Sequence, residues 1–237
     1  MPMGVALDKV VPWGRSLKEY VPMFSLTEGD LRSKALDCAG GPASFNVEMT
    51  RRGSHVVSCD PIYAYSAAEI AGRIKESRPS VLENTKKNRG HFLWREIPSL
   101  EHLDKLRMTA MHQFLDDFAA GIEHGRYVAG ELPSLPFGDR EFDLALCSHF
   151  FFTYGNVLSL EFHCASVREL CRVARETRVF PLLDQFGAEH SPHLAPLVSE
   201  LSAEDYSCEV KRVSYEFQKG GNEMLVVRRS ETTSGAR

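Results

Sequence analysis

The sequence predicts a doubly wound α/β domain with a mostly parallel sheet of seven strands and an antiparallel hairpin at its C-terminal end. Three observations predict this class. Apolar strand-like segments alternate with helical ones, a glycine-bearing loop follows the first strand, and a short turn joins the last two strands. At 237 residues the chain is close to the upper size for one hydrophobic core. We therefore expect one domain with a small elaboration.

The first two predicted strands carry the clearest pattern. The strand at residues 34–38 runs into the small residues of 39–43, which let a backbone approach a ligand closely. The helix predicted at 45–52 directs unpaired N–H groups toward the same place. The second strand, residues 55–60, ends in Asp60, roughly 20 residues beyond the loop, where such an acid reaches two ribose hydroxyls. This order of elements indicates a nucleotide-binding unit.

The rest of the chain continues the alternation with one interruption. Residues 66–125 have helical periodicity with strong segments at 67–76 and 102–123, more than one crossover helix requires. They predict a helical insertion over the edge of the sheet. The remaining predicted elements are strands at 126–130, 142–150, 177–183, 208–218 and 223–229 and helices at 157–174 and 194–201. Residues 219–222 supply the turn of the terminal hairpin.

Composition narrows the classes of partner. A net charge of −4 and a pI near 6.1 argue against a dedicated nucleic-acid binder, and we expect the basic cluster at 86–89 to be a solvated loop. The six cysteines show neither a CxxC pair nor metal-ligand spacing, which is typical of reduced, buried thiols in a cytoplasmic protein. No apolar stretch approaches the ~18 residues of a membrane span. We expect no metal and no membrane.

Several of these features together resemble class I S-adenosylmethionine-dependent methyltransferases, over roughly residues 31–229. They are the alternating units, the glycine-bearing loop, Asp60, a Leu-Pro-Phe segment before a Phe-Asp-Leu strand, and the terminal hairpin. That family usually shows acid-x-Gly-x-Gly-x-Gly, whereas here Asp37 is followed by Cys-Ala-Gly-Gly-Pro-Ala, with alanine at the first and third glycine positions. The resemblance implies the Rossmann-like fold of that family and S-adenosylmethionine as cofactor.

The resemblance also implies which residues bind each part of the cofactor. Around the methionine part would lie Asp37, Ala39, Gly40, Gly41 and the backbone of Cys147 and Ser148. The ribose hydroxyls would bind Asp60. Contacts to the adenine would come from Pro61, Ile62, Glu131 and Leu132.

The acceptor side is expected beyond the fourth strand and under the N-terminal segment. His149 is the candidate catalytic residue, although a satisfied histidine at a strand end is an equal reading and a base is needed only when the acceptor must lose a proton. Phe150, Tyr154 and Trp13 are candidate substrate contacts, with core packing as the alternative. Residues 1–33 are predicted to form a lid or cap, 34–229 the cofactor-binding domain, and 230–237 a tail. The segment at 91–95 is a second candidate cap.

The predicted function is methyl transfer to a small-molecule acceptor. The Asn/Asp-Pro-Pro-aromatic row of adenine or glutamine N-methylation is absent from the fourth strand, which removes one acceptor class. Two alternatives stay open. A non-catalytic S-adenosylmethionine-binding protein would keep the fold without the chemistry, and an NAD-dependent oxidoreductase would require Gly-x-Gly-x-x-Gly, which residues 39–44 do not provide. The oligomeric state is left open.

Overall fold

The computed structural model describes residues 11–185, 187 and 189–230. Its strands are β1 Ala35–Cys38, β2 Val56–Cys59, β3 Tyr127–Val128, β4 Phe142–Ser148, β5 Ala174–Phe180, β6 Tyr206–Arg212 and β7 Glu223–Arg229. They form one mixed sheet in the order β3-β2-β1-β4-β5-β7-β6. The first five strands are parallel, and β7 runs antiparallel to both β5 and β6. The predicted α/β sheet with a terminal hairpin is confirmed.

Helices cover both faces of the sheet. They are α1 Leu17–Phe24, α2 Phe45–Arg51, α3 Ala67–Lys87, α4 Leu100–Glu123, α5 Leu160–Val173 and α6 Leu194–Ser202. One core cluster joins α5 and α6 to the sheet, and a second joins α1 and α2 to the opposite face. A third packs α3 and α4 around Tyr63 and Tyr127. Alternate residues of β1 show the division: Leu36 packs in the first cluster and Ala35 in the second.

The topology places a crevice at the carboxyl ends of two strands. The chain passes from β1 outward to β2 and β3 in one direction, and from β4 outward to β5 in the other. The connections after β1 and after β4 therefore leave toward opposite faces and separate from each other. In open α/β sheets, ligands bind in the crevice at this switch point. The residues that follow β1, β2 and β4 are the ones that border it.

Several element ends differ from the segments that the sequence indicated, and the strand predicted at 177–183 is β5 Ala174–Phe180. The strong helical segment at 67–76 is the first part of α3, which continues through Pro79 to Lys87. Proline removes one backbone hydrogen bond, and packing on α4 outweighs that loss, including the ion pair of Arg78 Nε with Asp104 Oδ1 at 2.7 Å. The strand predicted at 208–218 is β6 Tyr206–Arg212. Val213 N still donates to Asn222 O across the hairpin, and the chain then leaves the sheet so that Phe217 packs against residues 92 and 93.

The first ten residues of the predicted lid and residues 231–237 of the predicted tail lie outside the described residues. All six cysteines are free, and five of them are buried as predicted, whereas Cys208 is half-buried. Within the described ranges, no helix has the length and apolarity needed to cross a membrane. The same ranges contain no group of three or more His, Cys, Asp or Glu residues placed to hold a metal ion.

Candidate functional site

A cavity of about 950 Å³ opens at the switch point of the sheet. One wall, which we call the sheet-side wall, consists of residues that follow the strands: Ala39, Gly40, Gly41, Asp60, Ile62, Ser148 and His149. The opposite wall, the lid-side wall, includes Val11, Pro12, Trp13, Arg15, Arg107, Tyr215, Phe217 and Gln218. The face of α3 extends the cavity away from the sheet. Phe150 and Tyr154 also border it, which places all three predicted substrate contacts at this cavity.

The loop after β1 adopts a conformation that only small residues tolerate. Ala39 and Gly41 both have φ of +56°, in the left-handed region that costs a residue with a Cβ about 1–2 kcal/mol. At Gly40 an added Cβ would lie 2.2 Å from Asp37 Oδ2, closer than any real contact. The loop therefore requires glycine at position 40 and accepts alanine at position 39 with some strain.

Asp37 supports this loop from behind and does not line the cavity. It is fully buried, and its carboxylate accepts hydrogen bonds from Tyr20 Oη at 2.9 Å and Ser58 Oγ at 3.1 Å. Asn46 Nδ2 donates to Ser58 Oγ at 3.1 Å and extends the network. Burial raises the pKa of Asp37 to about 7. A contact between this carboxylate and the methionine part of a cofactor would have to pass through the loop it supports.

Asp60 fixes the loop from the side. Its Oδ2 accepts from Gly41 N at 2.9 Å, and its Oδ1 accepts from Ile62 N at 2.8 Å. Burial raises the pKa of Asp60 to about 6, and the two N–H donors oppose that rise. Each carboxylate oxygen has a second lone pair, so Asp60 can still accept from hydroxyl groups in the cavity.

A narrow side cavity adjoins the main one. Pro61, Glu131 and Leu132 line it, and Ile62 lines the main cavity instead. Ala39, Asp60 and Phe150 border both spaces, so the two are neighbours around Asp60. All four residues predicted to contact adenine therefore lie next to the predicted ribose ligand.

The end of β4 presents a histidine to the cavity. His149 has φ of +53°, which ends the strand, and its N–H donates to Phe180 O at 2.6 Å. Its Nδ1 lies 2.9 Å from Ser148 Oγ, and Ser148 Oγ in turn lies 3.9 Å from Met23 Sδ. Burial, with Arg15 and Arg107 nearby, holds the pKa of His149 well below its usual value, so the ring is neutral. Cys147 is fully buried and lines neither cavity.

The N-terminal segment packs against the loop after β1. Gly14 packs so closely that an added Cβ would lie 2.0 Å from Pro42 O, and Ser44 N donates to Arg15 O at 3.0 Å. This contact covers the start of α2, which therefore does not present its N–H groups to the cavity as the sequence suggested. Val11 N donates to Tyr154 Oη at 3.1 Å, and this bond joins the segment to the residues after β4. The buried face of helix α1 packs in the second core cluster.

Two distant segments complete the lid-side wall. Leu93 N donates to Phe217 O at 2.7 Å, and Lys219 N donates to His91 O at 2.9 Å. The rings of Phe92 and Phe217 stack with centroids 4.9 Å apart, and both residues border the cavity. The predicted cap at 91–95 thus reaches the cavity through Phe92.

Two arginines on the lid-side wall were not among the predicted site residues. Arg107 is only 1% exposed, and its Nη1 donates to Glu19 Oε2 at 2.5 Å, while Tyr215 Oη donates to Glu19 Oε1 at 3.3 Å. Arg107 occupies the buried face of α4, four residues after Leu103 and four before Met111. A cation at a core position of an amphipathic helix was the available signal. For Arg15 the signal was weaker, a cation beside Trp13 in the predicted lid.

Comparison with known proteins finds one close relative and more distant structures. No family model matches the chain. The uncharacterized protein MJ0045 of Methanocaldococcus jannaschii is 33% identical over 224 residues, covering 94% of this chain and 98% of that protein.

Two solved methyltransferases are among the structures that align. Magnesium protoporphyrin IX methyltransferase of Synechocystis PCC 6803, with bound S-adenosylhomocysteine, is 13% identical over 89% of this chain and 80% of its own, with a TM-score of 0.48. A SAM-dependent methyltransferase of Methanosarcina mazei is 12% identical over 86% of this chain and 94% of its own, with a TM-score of 0.44. At this level of similarity neither structure assigns an activity or a ligand to this chain.

Proposed function

The chain belongs to the same family as protein MJ0045, and we propose that it is an S-adenosylmethionine-dependent methyltransferase that acts on a small-molecule acceptor. One observation carries the proposal. The loop after β1, the acid after β2 and the residues after β4 border two neighbouring cavities at the switch point of the sheet. An extended ligand with a base, a ribose and an amino-acid end fits that arrangement.

The residues present fit the cofactor part by part. Asp60 stands between the two cavities with free lone pairs for the ribose hydroxyls, Pro61 and Leu132 offer apolar contact to the adenine in the side cavity, and Gly40 lets the methionine end approach the loop. Because Asp37 is sealed behind the loop by Tyr20 and Ser58, its proposed role is to hold the loop in shape. Cys147 contributes through backbone position alone.

The cofactor, when bound, supplies a methyl group on a sulfonium, which an acceptor lone pair displaces while sulfur keeps the electron pair of the broken bond. The chain's contribution is to position the acceptor and exclude water. The lid-side wall excludes water, with residues 11–15 as its N-terminal part.

Where the acceptor must lose a proton, we propose that His149 accepts it. If Nδ1–H donates to Ser148 Oγ, the serine hydrogen points to Met23 Sδ, and the neutral ring keeps its lone pair on Nε2. Among the described residues none hydrogen-bonds to Nε2, so this lone pair is available. Phe150, Tyr154 and Trp13 would contact the acceptor.

Calorimetric titration with S-adenosylhomocysteine tests the proposal, with NADH and ATP as controls. We expect micromolar binding of S-adenosylhomocysteine alone. Binding of NADH alone would instead support the oxidoreductase reading, and a folded chain that binds none of the three would overturn a nucleotide-cofactor function. Binding without methyl transfer to any of a panel of acceptors would support the non-catalytic reading.

A further inference from the structure

The lid-side wall contains two buried guanidinium nitrogens that make no hydrogen bond. Among the described residues, Nε of Arg15 and Nε of Arg107 are both inaccessible to solvent and without a partner. Both side chains line the main cavity. Buried donors are almost always paired in folded proteins, because each unpaired one costs about 1–3 kcal/mol. Neither Nε is itself accessible from the cavity, so a ligand would bind these two guanidinium groups through their Nη atoms.

The charges in this wall do not balance. Among the described residues, Glu19 is the one carboxylate whose negative charge raises the pKa of both Arg15 and Arg107. It is already engaged by Arg107 Nη1, Tyr215 Oη and the backbone N–H of Ser16. The Arg15 side chain makes one long hydrogen bond to a described residue, from Nη1 to Trp13 O at 3.3 Å. Within residues 11–185, 187 and 189–230, one positive charge is therefore left without a counterion at the cavity surface.

The unbalanced charge persists at neutral pH. Burial, followed by repulsion from Arg107, lowers the pKa of Arg15 to about 10, which leaves the guanidinium protonated at pH 7. A half-buried cation with no counterion of its own is costly, and an anion in the cavity would lower that cost. Guanidinium groups bind carboxylates and phosphates in particular, since their planar N–H donors match two oxygens at once.

The two arginines border the same cavity as His149, Phe150 and Tyr154, which are the residues proposed to face the acceptor. The positive charges of both arginines contribute to the lowered pKa of His149. Aromatic residues surround this region, including Phe180, Tyr215 and Phe217. The space therefore combines a cationic wall with apolar ring faces. A neutral or cationic acceptor would leave the guanidinium charge unpaired.

We infer that the methyl acceptor is an apolar or aromatic molecule bearing a carboxylate or phosphate group, which Arg15 and Arg107 bind close to His149. This inference rests on the proposed methyltransferase function, because it names the substrate class of the same site. The competing occupant is the carboxylate of the cofactor's own methionine part. The two occupants predict different binding defects in Arg15 variants.

Three matched probes test the inference by calorimetry on the chain saturated with S-adenosylhomocysteine: benzoate, phenyl phosphate and the neutral benzamide. We expect benzoate or phenyl phosphate to bind at least ten-fold more tightly than benzamide, and the tighter of the two anions identifies the group. Arg15→Gln should remove the preference, and Arg15→Lys should reduce it at least three-fold. Lys18→Gln, at an exposed position of α1 three residues away, should leave it unchanged. Equal affinities of wild type for all three probes, or a failure to bind any, would overturn the inference.

A second titration separates the two occupants. If Arg15 binds the acceptor, Arg15→Gln binds S-adenosylhomocysteine as wild type does. A weakened affinity for S-adenosylhomocysteine, with an unchanged affinity for 5′-methylthioadenosine, would assign Arg15 to the cofactor carboxylate and overturn the inference. Thermal melts accompany both titrations, and we expect Arg15→Gln to melt no lower than wild type, because the lost cation has no counterion of its own among the described residues. If that variant does not fold, Arg15→Lys decides.

Failure of the proposed function is visible separately. A wild-type chain that binds no S-adenosylhomocysteine but prefers benzoate to benzamide would refute the methyltransferase proposal while keeping the anion site. A chain that binds S-adenosylhomocysteine without any anion preference would do the reverse.

Discussion

The two walls of the cavity satisfy their polar groups in different ways. On the sheet side both carboxylates are engaged within the chain: Asp60 in the wall accepts two backbone N–H groups, and Asp37 behind the wall accepts two hydroxyls. On the lid-side wall, Nε of Arg15 and Nε of Arg107 have no partner in the part of the chain that the structure describes. A wall whose groups are already paired is preorganised, whereas unpaired buried charge indicates a partner that is not part of the chain.

The two walls differ in this way because they are built from different kinds of chain segment. The sheet-side wall is built by residues adjacent to parallel strands, whose backbone positions are fixed by the sheet. The lid-side wall joins segments 11–15, 91–93 and 213–218 with a residue of α4, and holds them by a few hydrogen bonds and ring contacts. We therefore expect changes on the lid-side wall to alter acceptor binding and changes on the sheet-side wall to alter cofactor binding.

The largest effect is expected from Glu19→Gln on the lid-side wall. The carboxylate is buried against Arg107, and removing its charge leaves two uncompensated guanidinium groups, at a cost of about 3–5 kcal/mol in the free energy of unfolding. Urea denaturation measures it. Glu141→Gln is the matched control, because its pair with Lys34 is 38–44% exposed and such pairs contribute about 0–1 kcal/mol. Equal losses in the two variants would contradict the charge imbalance described for this wall.

A pH effect is expected next, on the sheet-side wall. Burial raises the pKa of Asp37 to about 7, above the ~3.9 of an unfolded Asp. The folded chain retains this proton over a range where the unfolded chain has lost it, so the stability from Asp37 is complete below about pH 4 and is lost as pH rises through 7.

The variant Asp37→Asn removes this dependence. Its free energy of unfolding, relative to wild type, should therefore rise between pH 4 and pH 7, by an amount on the order of 2–4 kcal/mol. Denaturation series at several pH values measure the difference between the two chains, so other titrating groups cancel. A difference that stays flat across this range would mean that Asp37 ionises normally behind the loop.

Asp60→Ala tests the division between the walls by ligand affinity. If Asp60 holds the ribose through charge-assisted hydrogen bonds, its loss should cost at least ~2 kcal/mol, roughly a 30-fold weaker Kd for S-adenosylhomocysteine. Calorimetry measures it, with Asp139→Ala as the control, since that carboxylate lines neither cavity. An unchanged Kd in the Asp60 variant would remove this residue from the proposed site.

The smallest effect concerns the strain in the loop. Ala39→Gly should stabilise the chain by up to about 1 kcal/mol, because relief of the positive φ exceeds the extra entropy of an unfolded glycine. Ala43→Gly is the control in the same loop, and should destabilise by about 1 kcal/mol because Ala43 is buried and has no positive φ. Thermal melts compare the two variants. Destabilisation by Ala39→Gly would show that the alanine methyl contributes packing that outweighs the strain.

Local pattern determined the sheet and one side of the site. Apolar runs and helical periodicity predicted the seven strands and the helices between them, and the positions of Ala39, Gly40, Gly41, Asp60 and His149 followed because residues after parallel strands meet at one edge. Strands, helices and the residues directly after them can be predicted because each is encoded by one continuous stretch of sequence.

Only the tertiary structure decided the lid-side wall and the state of each charge. Helix α3 continues past Pro79 because α4 packs against it, and Phe217 lies outside the sheet because it packs against residues 92 and 93. Glu19 and Arg107 are 88 positions apart, so no local pattern could pair them. Burial, charge balance and the pKa of Asp37 depend on neighbours from several elements at once, and those neighbours are set by the fold rather than by the chain order.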